Sequence, residues 1–557
     1  MDPMRSFSDQ FPAIAKHLGT NYVPTQEERQ DMISYLEHIP ADASLAADIA
    51  ALMAPARRVP LDIWAIIFSF CVSRTSQPLV HSRSAPMLLS QICRSWRELA
   101  ISTSKLWSSM SIVQTSAVPF YDETTRTLRV DFGIYTLVSL WIFRSGRHPL
   151  SISWTPPREK PSLLWNDPNI SSREILNRIW SIVIAHADRL HTLQITLLPA
   201  SYFRIFRDLN ALPLPRLQCL EISTAPEIKR EFAWNGPPDW MSLDSRDPSE
   251  DIWYTVSRTV TMKNLAFEVH SMDIDWDRLT SLSIESTHYG DAFSAHECLE
   301  ILAKGRALKH VRLAVEVVTA LPERPGGLRS GVEHLAIGLR TTRTGETEST
   351  FEVMGGMFRY LRMPALRHFE IHSPHHEWHP NIELFLAHSS ALTSLYLHFN
   401  SLAEFLSDAL RSTPSLMTLR LLADTRVSAG ALAESLYLVP QLRTLRLQSP
   451  KCISAVTEDM LNVLSIYPGD SKSLVPHLSS LEVQLLPLVS DEALVEMVES
   501  RRRPGVAITQ LKQLTCVCSG SRDLIGQAEY WRRQGMDVSL IGYLESGGGN
   551  WRLSAFP

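Results

Sequence analysis

Four histidines crowd one stretch, Ile371-His372-Ser373-Pro374-His375-His376-Glu377-Trp378-His379-Pro380, and imidazole is a common zinc ligand. Their spacing is not His-Glu-x-x-His, and Pro374 and Pro380 favour a loop over a helix that would bring two rings to one face. An exposed polar turn after a strand therefore accounts for them better than a metal-dependent hydrolase does. Cys516 and Cys518 alternate, so a strand would carry both thiols on one face. No second cysteine pair matches them, and buried small apolar residues fit better than a metal site. Gly547, Gly548 and Gly549 lead into Asn550-Trp551-Arg552, without the Lys-Ser/Thr or the strand–turn–helix setting of a phosphate loop. Arg501, Arg502 and Arg503 end a helix before Pro504-Gly505, where cations complement the helix dipole. No Ser/His/Asp or paired-carboxylate arrangement rises above chance. The expectation is a chain with no catalytic residue, no metal and no cofactor.

The elements that would position any working surface repeat along the chain. The unit is apolar-x-x-apolar-x-apolar, usually just after a proline or a short polar turn. It occurs as Leu190/Leu193/Ile195, Leu217/Leu220/Ile222, Met262/Leu265/Phe267, Leu279/Leu282/Ile284, Leu308/Val311/Leu313 and Val332/Leu335/Ile337. It continues as Leu366/Phe369/Ile371, Leu392/Leu395/Leu397, Leu416/Leu419/Leu421, Leu442/Leu445/Leu447 and Leu478/Leu481/Val483, with Leu511/Leu514/Cys516 as the last copy. Starts at 366, 392, 416, 442 and 478 lie 26, 24, 26 and 36 residues apart, the period of leucine-rich repeats. Capping boxes at Ser171–Glu174, Ser294–Glu297 and Ser401–Glu404, and Ser490-Asp491, open helices between copies. One unit cannot bury its own apolar face, whereas a stack makes a continuous core. Residues 227–258, with Trp234, Trp240 and Trp253, break the period and read as an insertion.

If the apolar residues point into the core, the interleaved ones line the other face of the sheet. The middle interleaved positions are Arg312, Ala336, Glu370, Tyr396, Arg420, Arg446 and Glu482. Strand spacing of about 4.8 Å would set Arg420 beside Arg446, mildly destabilising unless an anion sits over both. Tyr and Arg also carry much of the energy of protein interfaces. Arg312, Tyr396, Arg420 and Arg446 are therefore the candidate target-binding residues, for an acidic or phosphorylated segment.

Ahead of the repeats lies a helical segment. Val59-Pro60 opens a helix, since proline suits a first turn, and Ile63, Ile66, Ile67 and Phe70 follow at helical spacing. A second helix, Leu88 to Ala100, would place Leu89, Ile92, Cys93, Trp96 and Leu99 on one stripe. Helices this short cannot bury so much apolar surface in each other, so a partner is implied. Upstream, Thr25 and Glu28 form a capping box for a helix with Met32, Ile33, Leu36 and Ile39 on one side.

The segment resembles the F-box-like module of fungal proteins. Val59-Pro60 stands for its Leu-Pro opening, Ile67-Phe68 for the end of its first helix, Ile92-Cys93, Trp96-Arg97 and Ala100 for its second motif, and Leu106-Trp107 for its close. Valine at 59 removes roughly one CH₂, about 0.8 kcal/mol of burial, and the polar Ser73–Pro86 stretch is a further departure. The stretch Leu140–Gly146 with Pro149-Leu150 also looks like the segment directly C-terminal to the module in that family. The repeats, in turn, resemble the irregular leucine-rich repeats of F-box proteins. The resemblance implies an α/β chain, a small α-helical F-box followed by an irregular leucine-rich-repeat solenoid with a parallel sheet on the concave face and helices outside. It implies a substrate receptor of a cullin–RING ubiquitin ligase, not itself an enzyme. Docking on the Skp-type adaptor, and through it the cullin, would use Val59, Pro60, Ile63, Ile67, Ile92 and Trp96. A protein-binding scaffold with a degenerate module is the alternative.

Bulk properties agree with that organisation: residues 1–50 as an arm with a helix, 51–110 as the module, 111–165 as a connector and 166–557 as the repeats. Apolar residues make up 45% and charged ones 20% of 557, ordinary for a soluble globular chain. A net charge of −5 disfavours nucleic acid or an anionic membrane as partner. Seven cysteines, an odd number, do not read as a disulfide framework. The start lacks a secretory h-region, and the longest apolar run, Ile63–Val72, is short of the ~20 residues needed to span a bilayer. A cytoplasmic or nuclear protein is expected.

Overall fold

The structure, a computed structural model, describes residues 12–17, 22–36, 43–72, 77–113, 120–122, 127–129, 133–155, 171–197, 214–224, 258–263, 276–285, 293–316, 327–340, 347–373, 378–399, 405–423, 428–448, 457–467, 474–484, 489–503, 509–518, 523–543 and 550–553. The chain is α/β, built on a long parallel sheet with helices. It divides into two compact units, Met1–Leu220 with Ile228–Thr255, and Glu221–Glu227 with Val256–Pro557. Among the described residues, no helix is long and apolar enough to cross a membrane.

The first unit begins with a small core of its own. Thr25 Oγ1 accepts from the Glu28 N–H (3.3 Å) and Glu28 returns the bond to the Thr25 N–H (2.7 Å), which starts the Gln26–Leu36 helix. Its Met32 packs with Ile14, Ile49 and Leu52, the last two on an Ala-rich helix, Ala43–Met53, that the sequence pattern does not announce. Alanine has the strongest helix propensity, but a run of alanines leaves no apolar stripe to read. Ile33, assigned to the inward stripe, is exposed, and Ile39 lies outside the described residues.

Next come the Leu61–Cys71 helix, with extended Pro60 as its N-cap, and a pair of short helices where one was expected. Leu89–Ile92 and Arg94–Ser102 are separated by Cys93, whose φ of −152° and ψ of 171° are those of a strand. Cys93 takes the N-cap position of the second helix without a side-chain capping bond, and Arg97 Nε fills the freed Ser90 carbonyl at 2.8 Å. Leu106 and Trp107 then turn inward; Trp107 Nε1 donates to the Ala100 carbonyl at 2.7 Å. The Gly133–Arg144 helix lays Trp141 edge-on to Trp107 (5.1 Å) and Arg144 over its ring (4.5 Å). Gly146, at φ +58°, ends it in a conformation glycine alone adopts at no cost. Parallel strands Ser109–Val113, Leu150–Thr155 and Leu190–Leu197 follow, with Leu150, Ile152 and Trp154 alternately buried. The Ser171–Ile184 helix precedes the third.

The second unit is a succession of parallel strands in constant register. Thr259–Lys263 pairs with Ser281–Glu285, and the ladder continues through His310–Glu316, His334–Arg340, His368–Ser373, Ser394–Phe399, Thr418–Ala423, Thr444–Gln448, Ser480–Gln484, Gln513–Cys518 and Asp537–Tyr543. Parallel neighbours need a crossover, and most crossovers carry a helix, from Ala295–Lys304 to Asp523–Arg533. Between His310–Glu316 and His334–Arg340 the described residues instead hold the short Leu328–Arg329 strand, paired with Leu361–Arg362. Val311, Leu335, Phe369, Leu395, Leu419, Leu445, Leu481, Leu514 and Val538 form one buried row across the ladder. Burying each such side chain contributes roughly 1.5–3 kcal/mol. Phe369 meets Phe358 and Phe385 of the flanking helices, so the apolar row faces those helices.

Two details differ from the pattern expected of the sequence. Val260 aligns with Leu282 and Met262 with Ile284, so Met262 is the third apolar position of its copy, not the first; Leu265 and Phe267 lie outside the described residues. A further copy follows Cys516, with Val538 and Leu540 buried. Gly535 (φ +81°) takes its first position, which hid it from the apolar pattern. Ser294–Glu297 is a complete capping box and Ser490 caps its helix, whereas Ser401–Glu404 and residues 227–257 lie outside the described residues.

Arg501 is the largest departure. It is fully buried, not displayed at a helix end, and donates to the carbonyls of Leu464 (2.6 Å), Leu474 (2.9 Å) and Val475 (3.2 Å). Three carbonyls and no carboxylate surround it in these contacts, and burial pulls its pKa down to about 10. Val475 has φ +42°, a strained value for a β-branched residue, and its carbonyl is one of those Arg501 holds.

Candidate functional site

Two surfaces hold the residues singled out by sequence. The first is the Leu61–Cys71 helix. Its inner side is aromatic: Phe68 is buried, Trp96 sits 5.0 Å from Phe68 and 4.6 Å from Trp64, and Trp64 Nε1 donates to the Ala56 carbonyl at 3.1 Å. The outer side is the opposite of a solvent face. Leu61, Ile63, Ile66 (53% exposed), Ile67 and Phe70 (62% exposed) all meet water, as does Ile92 (55% exposed). Of the six expected docking residues, Pro60, Ile63, Ile67 and Ile92 are exposed and Val59 half-buried, while Trp96 belongs to the aromatic cluster underneath. Asp62 is also exposed in the first turn of this helix, but the large exposed side chains are apolar, which makes it a place for apolar contact.

The second surface is the side of the second unit's sheet away from the buried row. Strand register aligns Arg312, Ala336, Glu370, Tyr396, Arg420, Arg446 and Glu482 as neighbours. Across the small Ala336, Arg312 Nη2 reaches Glu370 Oε2 at 3.0 Å. Glu370 Oε1 accepts from His372 Nε2 at 2.9 Å, and His372 Nδ1 lies 3.1 Å from His398 Nδ1. When His372 gives its Nε2 proton to Glu370, the second contact needs His398 as donor or His372 as imidazolium. Burial alone would raise the Glu370 carboxyl, but the His372 hydrogen bond and the charges of Arg312, His372 and Arg420 outweigh it and hold the pKa below its ordinary value.

Arg420 and Arg446 are neighbours, yet their heads part. The Arg420 guanidinium lies 4.4 Å over the Tyr396 ring and donates to Gln448 Oε1 at 3.0 Å. Arg446 Nε turns to Glu482 Oε2 at 3.3 Å, and Gln448 Nε2 also donates to Glu482. The expected side-by-side approach of the two guanidinium heads is thus avoided, each turning to its own neighbours. Arg312 and Arg446 each have a carboxylate; among the described residues Arg420 has none within ion-pair distance. Cation–π contact stabilises such an arginine by roughly 0.5–1 kcal/mol. Burial raises the Tyr396 hydroxyl.

A feature that the repeat pattern does not single out sits on the same side. His310, His334 and His368 occupy one register position; His334 stacks on His368 at 4.0 Å, and His310 leans against His334 at 4.4 Å with the rings tilted by 37°. Each directly precedes the middle apolar residue of its copy, so aligning the copies would have disclosed them. Burial, then His368 and His310, push the His334 pKa down; burial, then Arg367 and His310, do so for His368.

The dense histidine stretch resolves differently. His372 is on a strand, and His379 is an N-cap whose Nδ1 accepts from the Asn381 N–H at 3.0 Å; His375 and His376 lie outside the described residues. Pro380, expected in a loop, is instead the first residue of a helix. A Cβ on Gly355 would come within 2.1 Å of the His379 ring, so that ring is packed. Among the described residues no group of three or more His, Cys, Asp and Glu is placed to hold a metal ion. Cys516 is buried, and Gly547–Gly549 lie outside the described residues. No protein-family model matches the chain, and no curated protein matches it either.

Proposed function

We propose that the chain is the target-recognition subunit of a cullin–RING ubiquitin ligase, docking on a Skp-type adaptor through residues 59–107 and holding a target protein on the sheet of its second unit. The reading takes residues 59–107 as an F-box-like module. It takes the second unit as an irregular leucine-rich-repeat solenoid, with the sheet concave and the helices outside. One observation carries it: Leu61, Ile63, Ile66, Ile67 and Phe70 stand in water on an 11-residue helix. Covering such side chains is worth about 1.5–3 kcal/mol each, and a contiguous apolar face of this kind marks a contact with another protein. The chemical step belongs to the enzyme the ligase recruits, so no catalytic residue is assigned to this chain, and a cytoplasmic or nuclear setting follows from the partner.

The test is affinity purification of the chain with adaptor and cullin as the readout. Ile63→Asp with Ile67→Asp should abolish their recovery while leaving circular dichroism unchanged, since both side chains are exposed. Trp96 is unsuited to this purpose, because it holds Trp64 and Phe68 together. Recovery of adaptor by the double variant, or none by the natural chain, would overturn the ligase assignment in favour of a protein-binding scaffold with a degenerate module.

A further inference from the structure

The stacked histidines are not explained by packing alone. At the same register position later strands carry Ser394, Thr418, Thr444 and Ser480, small polar residues that suit a solvent-facing ladder. Three consecutive strands instead carry imidazoles, and His334 lies between the other two, stacked on His368 and in tilted contact with His310. What His334 has left to offer a ligand is its ring edge, where the N–H groups sit. The charged residues around the stack are Lys309, Arg312 and Arg367 against Glu333 and Glu370. Lys309 pairs with Glu333 at 2.7 Å and Arg312 with Glu370 at 3.0 Å. Arg367 is exposed and has no ion pair among the described residues. The patch therefore carries one positive charge in excess with the imidazoles neutral, and more as they protonate.

We propose that the stack of His310, His334 and His368, with Arg367 beside it, docks a carboxylate-rich segment of a partner protein, and that binding draws protons onto His334 and His368. Unoccupied, the neighbouring rings and Arg367 oppose protonation of His334 and His368. A carboxylate laid along their edges removes that penalty, so the bound state holds more protons than the free one. Affinity must then rise as pH falls, by up to roughly tenfold per pH unit for each proton taken up. Salt should weaken the contact, as for any exposed charge pairing. This inference rests on the reading that the sheet captures a protein, while adaptor docking plays no part in it.

The experiment is a fluorescence anisotropy titration of the full chain, without adaptor, using a labelled oligo-glutamate peptide and an oligo-glutamine control. The glutamate peptide should bind at least tenfold more tightly at pH 6 than at pH 8, and the glutamine peptide should bind at neither. A triple variant, His310→Phe, His334→Phe and His368→Phe, keeps flat rings for stacking but cannot titrate; it should bind weakly and equally at both pH values. Arg367→Glu, at an exposed position, guards against misfolding of the triple variant: it should weaken binding at both pH values with an unchanged melting temperature. Absence of binding by the natural chain, equal affinity at the two pH values, or an undiminished pH dependence in the triple variant would each overturn the proposal. Peptide binding without adaptor recovery would remove the ligase reading alone, and adaptor recovery without peptide binding would remove this one alone.

Discussion

The Leu61–Cys71 helix and the open side of the second unit's sheet leave different things unfinished. On the helix the aromatic side is closed, with Phe68, Trp64 and Trp96 in mutual contact, while five large apolar side chains stay in water. On the sheet the apolar row is closed and the polar row largely satisfies itself, from Arg312–Glu370–His372–His398 to Arg420–Gln448–Glu482–Arg446. The first is short of a hydrophobic partner, whose gain scales with area. The second is short of little, because exposed ion pairs contribute only about 0.2–1 kcal/mol and can be exchanged for others at small cost. A permanent, area-driven contact suits the former, and a weaker, condition-dependent one suits the latter.

The largest expected effect tests the claim that the sheet unit is internally complete. Arg501→Ala removes the donors of the Leu464, Leu474 and Val475 carbonyls and leaves a cavity. It should lower stability by about 3–5 kcal/mol, read as a shifted urea midpoint. A shift below about 1 kcal/mol would mean that water replaces the guanidinium. Next in size is the contrast within the helical segment. Trp96→Ala opens the aromatic cluster and should cost about 3 kcal/mol, whereas Ile66→Ser, at an exposed position, should change stability by no more than about 0.5 kcal/mol. Equal losses in thermal melts would show that the two sides of the helix are not distinct.

The legibility of each region in the sequence depends on the information its pattern encodes. The spacing Leu392/Leu395/Leu397 fixes a strand, its buried face and its register with Leu416/Leu419/Leu421 together, and the ladder runs as that spacing requires. Around Leu61–Cys71 the pattern is nearly uniform: apolar residues occupy Ile63, Trp64, Ile66, Ile67, Phe68 and Phe70. Periodicity finds the helix but cannot say that Phe68 turns in while Ile67 turns out. Cys93 interrupts an apolar stripe that runs through it, and the Ser90 carbonyl freed by the break is met by Arg97, a contact that a stripe does not register. Arg501 escapes the sequence because a helix-terminal cation and a buried one look the same there; only the Leu464–Val475 carbonyls distinguish them. The heads of Arg420 and Arg446 part because Tyr396 and Glu482 flank them, a consequence of register that a single copy does not display.

The smallest effect per residue is the pH dependence of the sheet unit, and its sign is fixed by the direction of the shifts. His334 and His368 are depressed below the ordinary histidine value of 6.5, chiefly by burial and then by neighbouring charges. The unfolded chain therefore binds protons that the folded one refuses. Stability is independent of these groups well above pH 6.5, falls as pH drops below it, and levels off once the folded-state values are passed. Glu370 acts lower down: held below its ordinary value of 4.5, it stabilises above that value and is lost as pH falls through its folded value. Melting temperatures between pH 8 and pH 5 should decline, and the triple phenylalanine variant should flatten only the upper part of that decline. If the variant's curve parallels that of the natural chain, other histidines carry the dependence, with His186 and His379, both also depressed by burial, the next to examine. If instead the decline disappears when the oligo-glutamate peptide is present, the peptide has supplied the charge that lets the stack protonate. His334 and His368 would then account both for a stability lost in acid and for an affinity gained there.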